Sequence, residues 1–163
     1  MNPVLLVVDP QNDFFESDNP NLVEFQRVLS NINAAIAFFK KQDWLIIFIQ
    51  HTSRKKEPGT HAWKIYEGFN GVSKSFQISK RYPNSFWKTK LNSLLKSSQI
   101  DFVVVSGFCS EHCVLSTLRR AYERGYKGVI LRDGIASLDD KYTNFVLNIS
   151  KNFSLDEFSA MAQ

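Results

Sequence analysis

The run Val4-Leu5-Leu6-Val7-Val8 is apolar at every position and stops at Asp9-Pro10. Five residues are too few for a helix, and a strand with one wet face would alternate. A continuous Val-rich run is therefore a strand buried on both faces. The pattern recurs at 44–49 (Trp44-Leu45-Ile46-Ile47-Phe48-Ile49), at 102–105 (Phe102-Val103-Val104-Val105) and at 129–131 (Val129-Ile130-Leu131). Between the first two runs, Leu22, Phe25, Leu29, Ile32, Ile36 and Phe39 recur at steps of three and four, which marks an amphipathic helix over 22–41. A second helix is expected from about Glu111 to Arg124, with Gly125 as its C-terminal cap. Strands buried on both faces and separated by helices imply a mostly parallel sheet with helices on both faces. Right-handed crossovers make this a doubly wound, three-layer, Rossmann-like α/β fold. With 163 residues the chain is expected to form one domain, 1–163, large enough to bury a core without a disulfide or metal staple.

Two stretches fit this pattern less well. Residues 51–84 are polar, contain Pro58, Gly59, Gly68 and Gly71, and have no clear period. So long a stretch in a compact domain is expected to be a functional loop or lid. The segment from Phe153 to Phe158 is expected to supply a last short strand and a helical turn.

The charge balance is 20 basic against 16 acidic residues, a net +4. The basic residues are scattered, and nothing resembles a nucleic-acid recognition module, so no nucleic-acid partner is expected. No apolar run approaches the roughly 20 residues of a membrane span, so no membrane partner is expected. The start, Met1-Asn2-Pro3-Val4, has no basic region, and no secretory signal is expected. The only cysteines, Cys109 and Cys113, point to a reducing, cytoplasmic setting.

In open α/β sheets, ligands bind beyond the carboxyl ends of the strands. That rule selects Asp9 after the first strand, His51 after the second, Gly107-Phe108-Cys109-Ser110-Glu111-His112-Cys113 after the third and Asp133 after the fourth. Two readings stand at Cys113. At a helix start, free N–H groups and the dipole favour a thiolate nucleophile. The other reading is a small buried hydrophobe. Asp9 is either a general base for such a thiol or polar punctuation at a strand end. Phe14 and Phe86 are either pocket walls or core. A thiol redox pair, Cys109 and Cys113, and a catalytically silent interaction module remain as alternatives.

Three stretches resemble the motifs of the isochorismatase-like cysteine hydrolases, a superfamily that includes nicotinamidases and N-carbamoylsarcosine amidohydrolase. The first is Asp9-Pro10-Gln11-Asn12-Asp13-Phe14 after an apolar strand. The second is Lys80 with Asn84, Ser85, Phe86, Thr89 and Leu91. The third is Gly107, Ser110, Cys113 and Val114. They occur in family order. The resemblance implies a catalytic triad of Asp9, Lys80 and Cys113, and an oxyanion hole from the backbone N–H groups of Cys109 and Cys113. It also implies a cis Phe108–Cys109 peptide that aims one of those N–H groups. With it go a substrate pocket formed by Phe14, Phe86, His51 and Phe108, and a homo-oligomer, dimer or tetramer. The activity implied is hydrolysis of a C–N bond in a small amide, carbamoyl or ureido compound through a Cys113 thioester. The Asp-x-His pair that binds metal in nicotinamidases is absent, since the chain reads Gln50-His51-Thr52-Ser53 there. No metal and no other cofactor is therefore expected, and His112 is expected to point away from the site.

Overall fold

The computed structural model describes residues 1–162. In chain order its elements are β1 (Pro3–Val8), α1 (Leu22–Lys41), β2 (Leu45–His51), β3 (Phe76–Lys80), α2 (Leu91–Ser97), β4 (Phe102–Phe108), α3 (Leu115–Glu123), β5 (Lys127–Ala136), α4 (Asp140–Ile149), β6 (Asn152–Phe153) and α5 (Leu155–Ala162). Six strands form one sheet in the order β3-β2-β1-β4-β5-β6. Every pairing is parallel.

Alternation along β1 sorts the core into two layers. Val4, Leu6 and Val8 face one side, where Leu91 and Leu95 of α2, Leu118 of α3 and Val146 of α4 pack. Leu5 and Val7 face the other side, against Phe25, Ile32 and Phe39 of α1 and Phe158 of α5. The doubly wound, three-layer α/β architecture is the one read from the buried runs. Among the described residues no helix is long and apolar enough to cross a membrane.

The strand order reverses between β1 and β4, so their carboxyl ends open a crevice at the switch point. The two strands approach closely there. Val8 pairs with Gly107, and a Cβ on Gly107 would lie 2.0 Å from the Val8 carbonyl oxygen and 2.6 Å from its nitrogen. Gly107 also sits at φ 111°, a region that side chains other than glycine rarely adopt.

Several expectations from the sequence are corrected. Residues 51–84 are not a featureless loop, because they contain β3 and a 3₁₀ turn at Val72–Lys74. As an edge strand, β3 buries only Lys80 fully, so it lacks the apolar run that betrayed its neighbours. The strand read at 129–131 extends to Ala136, with a register shift opposite Val105 and Gly107. Asp133 therefore lies within β5 rather than after it, and its carbonyl accepts from Asn31 Nδ2 on α1. Ser137, not Asp133, follows the strand. The second helix begins with a π turn, Ser110–Val114, before α3. Helices α2 and α4 fall where no element was expected.

Gly107→Ala is expected to cost more than the roughly 1–3 kcal/mol of ordinary overpacking. Gly125→Ala makes the control, since Gly125 also has positive φ (+85°) but open space around its would-be Cβ. Urea unfolding of both variants checks this, and equal losses would refute the steric explanation.

Candidate active site

Asp9 leaves β1 with φ 51° and is buried. Lys80 closes β3, and its side chain is fully inaccessible. Cys113 sits in the π turn after β4, 9% exposed. These three segments, remote in sequence, converge on one ammonium. Lys80 Nζ donates to Asp9 Oδ2 at 3.3 Å and to Cys113 Sγ at 3.2 Å. Asp9 Oδ1 is 3.1 Å from the same nitrogen but has no aligned donor from it. An Asp9 carboxylate oxygen and Cys113 Sγ lie within 4.8 Å of one another, so the carboxylate stands beside the thiol.

Electrostatics here disfavours a resting thiolate, one of the two readings at Cys113. Burial, then the Asp9 carboxylate, push the Cys113 thiol up to about 12, and Lys80 offsets only part of this. The side chain rests as a thiol beside the Asp9 carboxylate. Burial, followed by Glu111 and Asp9, likewise pushes Cys109 up to about 12. The two cysteines pack on opposite faces of the sheet, Cys113 with the α2–α4 layer and Cys109 with the α1 layer.

The Phe108–Cys109 peptide is cis. The turn that follows is held by a polar network the sequence did not reveal. The Ser110 N–H donates to Ser137 Oγ at 3.0 Å, Ser137 Oγ donates to Glu111, and Ser110 Oγ meets Thr143 Oγ1 at 3.0 Å. Ser137 is visible only once β5 is known to run to Ala136.

His51 ends β2 directly across from Lys80, with its Nδ1 3.1 Å from the ammonium. Burial first, and then the Lys80 charge, hold its imidazole below the ordinary histidine range. Buried Gln11 clamps its backbone. Gln11 Oε1 accepts the His51 N–H at 2.8 Å, while Gln11 Nε2 donates to the carbonyls of His51 at 2.9 Å and Trp63 at 2.8 Å. This glutamine was legible only as part of a motif.

The remaining expected site residues divide. Half-buried Phe14 has Lys56 Nζ over its ring at 4.6 Å, and Lys56 also pairs with Asp13 at 2.5 Å. Phe86 is buried in the same cluster as Cys113, between Tyr126 and Arg124. Phe108 is not a pocket wall. Its ring is fully buried and stacks on Phe25, with centroids 4.5 Å apart, on the face opposite Cys113. His61 is exposed and bonds Glu16 at 2.8 Å, and His112 is exposed beside Glu111. A cleft of about 360 Å³ borders Lys80, Arg81, Tyr82 and Trp87, but neither Asp9 nor Cys113 lines it.

Asp9, His51 and Cys113 each bring one potential donor atom within 4.8 Å of the others, the only such trio among the described residues. The Lys80 ammonium touches all three. A divalent ion bound there would share their centre with a positive charge, so these residues do not fit a metal.

Residues 3–154 match the isochorismatase domain. The uncharacterized isochorismatase family protein YddQ of Bacillus subtilis is 30% identical over 142 residues, 84% of this chain and 79% of that protein. An isochorismatase-like hydrolase from Alkaliphilus metalliredigens superposes with a TM-score of 0.89 at 25% identity, covering 100% of both chains. A nicotinamidase from Staphylococcus aureus superposes with a TM-score of 0.78 at 28% identity, covering 91% of each.

The opposed effects of Asp9 and Lys80 on the thiol give a signed test. Asp9→Asn removes the negative charge that keeps the proton on sulfur, while Lys80 stays. Its Cys113 pKa therefore falls, and alkylation by iodoacetamide at pH 7 is faster than in the unaltered protein. Lys80→Met acts the other way. Mass mapping separates Cys113 from Cys109, and slower labelling in Asp9→Asn would refute the arrangement.

Proposed function

The chain belongs to the isochorismatase family of hydrolases, and from that premise we propose that it is a metal-independent cysteine amidohydrolase. Its substrate class is a small amide, carbamoyl or ureido compound. The observation that carries this reading is the buried Lys80 ammonium, within 3.3 Å of both the Asp9 carboxylate and Cys113 Sγ.

A thiol held at about 12 needs a base in the same step, and Asp9, which shares the Lys80 ammonium with it, is the carboxylate beside it. Asp9 takes the Cys113 proton as Sγ attacks the carbonyl carbon. The backbone N–H groups of Cys109 and Cys113 take up the oxyanion; one such donor is worth roughly 10²–10³ in rate. Asp9 returns the proton to the leaving nitrogen, the C–N bond breaks and a thioester forms. Asp9 then removes a proton from water, the hydroxide attacks the thioester, and the proton returns to sulfur as the acid leaves. Lys80 balances the negative charge as it moves between carboxylate and sulfur. Phe14 and His51 border the approach, and Phe86 supports the nucleophile from within the core. The redox alternative is disfavoured, since Cys109 and Cys113 pack on opposite faces of the sheet.

A panel of small amides, carbamates and ureas, scored by ammonia release, tests the reading. Cys113→Ala is expected to lose roughly 10³-fold or more in kcat, the scale of removing a covalent nucleophile. Turnover is expected to survive dialysis against a strong chelator. Full activity in Cys113→Ala, or loss with chelator restored by zinc, would overturn it.

We also propose that two copies pair through α4. Leu138, Tyr142, Phe145 and Ile149 are 42–55% exposed, and their steps of four, three and four make one stripe. Asp140, beside the Asp139–Lys141 ion pair, lies at one end and Lys151 just past the other. In an antiparallel two-fold pairing the acidic end meets the partner's basic end, as a self-complementary interface requires. Light scattering is expected to show a dimer that Phe145→Glu dissociates; a monomer before substitution would exclude the pairing.

A further inference from the structure

The Lys80 ammonium has three N–H donors and no acceptor. Three neighbours take them: Asp9 Oδ2 at 3.3 Å, Cys113 Sγ at 3.2 Å and His51 Nδ1 at 3.1 Å. From this count we infer that His51 is a positioning residue, held as the neutral Nε2–H tautomer, whose protonation displaces Lys80 and switches the site off. The consequence for turnover rests on the cysteine amidohydrolase reading; the tautomer does not.

The imidazole has little choice of pose. His51 is paired with Lys80 in the β2–β3 register, and its backbone is clamped on both sides by Gln11. Its Nδ1 therefore faces a donor and must carry a lone pair. An imidazolium has N–H on both nitrogens and no acceptor. Protonation would set Nδ1–H against the ammonium, positive against positive, and push Lys80 out of its contacts with Asp9 and Cys113. The charged groups around the ring are Lys80 and Lys56 on one side of the balance and Asp9 and Asp13 on the other. Burial and Lys80 outweigh the carboxylates, so the neutral ring persists below the ordinary histidine range. Among the described residues no protein group bonds Nε2, which leaves its N–H as the ring's outward donor. A substrate with a carbonyl or ureido oxygen has the matching acceptor.

The chain has three histidines, so nitrogen NMR of the ring resonances, assigned with single His→Gln variants, reads His51 directly. The expected result is a pyrrole-type Nε2 and a pyridine-type Nδ1, with a titration midpoint below the ordinary histidine range. In Lys80→Met the midpoint rises and the tautomer preference weakens. An Nδ1–H tautomer, or a midpoint at or above the ordinary histidine range, would overturn the inference. These readouts need no substrate and stand apart from the fate of the amidohydrolase reading. With a turned-over amide in hand, His51→Leu is expected to lower kcat by roughly tenfold to a hundredfold, the scale of a misplaced catalytic group. His51→Asn, whose Oδ1 can accept in place of Nδ1 but does not titrate, restores most of that loss and moves the acid limb of kcat to lower pH. An acid limb unmoved in His51→Asn would remove the switch.

Discussion

A fully buried ammonium organises this protein. Removing a lysine charge from water costs several kcal/mol, and the cost is offset only where opposite charge and hydrogen-bond acceptors surround it. Lys80 meets that condition through groups from three strands and one turn: Asp9 beyond β1, His51 at the end of β2, its own β3, and Cys113 beyond β4. None of the four is independent of the others. Without Asp9 the ammonium loses its counter-charge, and without Lys80 the buried Asp9 carboxylate loses its own. The geometry that makes the lysine tolerable is also the geometry that the proposed proton transfer from sulfur to carboxylate requires.

The surrounding chain is arranged to hold that convergence. Glycine at 107 lets β4 reach Val8 closely enough to bring the turn carrying Cys113 beside Asp9. Gln11 ties the end of β1 to the end of β2 and to the loop at Trp63, whose indole donates to Thr52. On the other side, Ser85 Oγ meets Thr117 Oγ1 at 2.7 Å in a buried pair, which joins the segment after β3 to α3. Buried polar groups of this kind are stable only when each finds its partner, so they also specify one arrangement. The Ser110–Ser137–Glu111 network performs the same service for the turn after the cis peptide.

The thiol's environment decides how the chemistry must run. A helix start next to a lysine suggests a ready thiolate, yet burial and a neighbouring carboxylate dominate at this depth. Under the proposed reading, a protonated Cys113 beside its base gains reactivity only as substrate arrives and charge can pass onto the oxyanion donors. It stays unreactive otherwise, which suits a cysteine with so little solvent access.

The sequence by itself determined the parallel sheet, because residues 4–8, 44–49, 102–105 and 129–131 are apolar on both faces and only a strand covered on both sides accepts that. It also determined which ends of those strands carry Asp9, His51 and the Gly107–Cys113 turn, since each run stops at its polar residues. Lys80 was legible only through its motif. It closes an edge strand, Phe76–Lys80, with no buried run to announce it, and one lysine among many carries no local sign of burial. Asp133 was misplaced and Ser137 overlooked because the register shift in β5 arises from pairing with β4, which local periodicity does not encode. Phe108 kept its place in the chain but not its expected role, as its ring turns into the α1 layer. Tertiary structure alone decided the three contacts of the Lys80 ammonium, because they join residues 29 to 71 positions apart and exist only when the strands lie side by side.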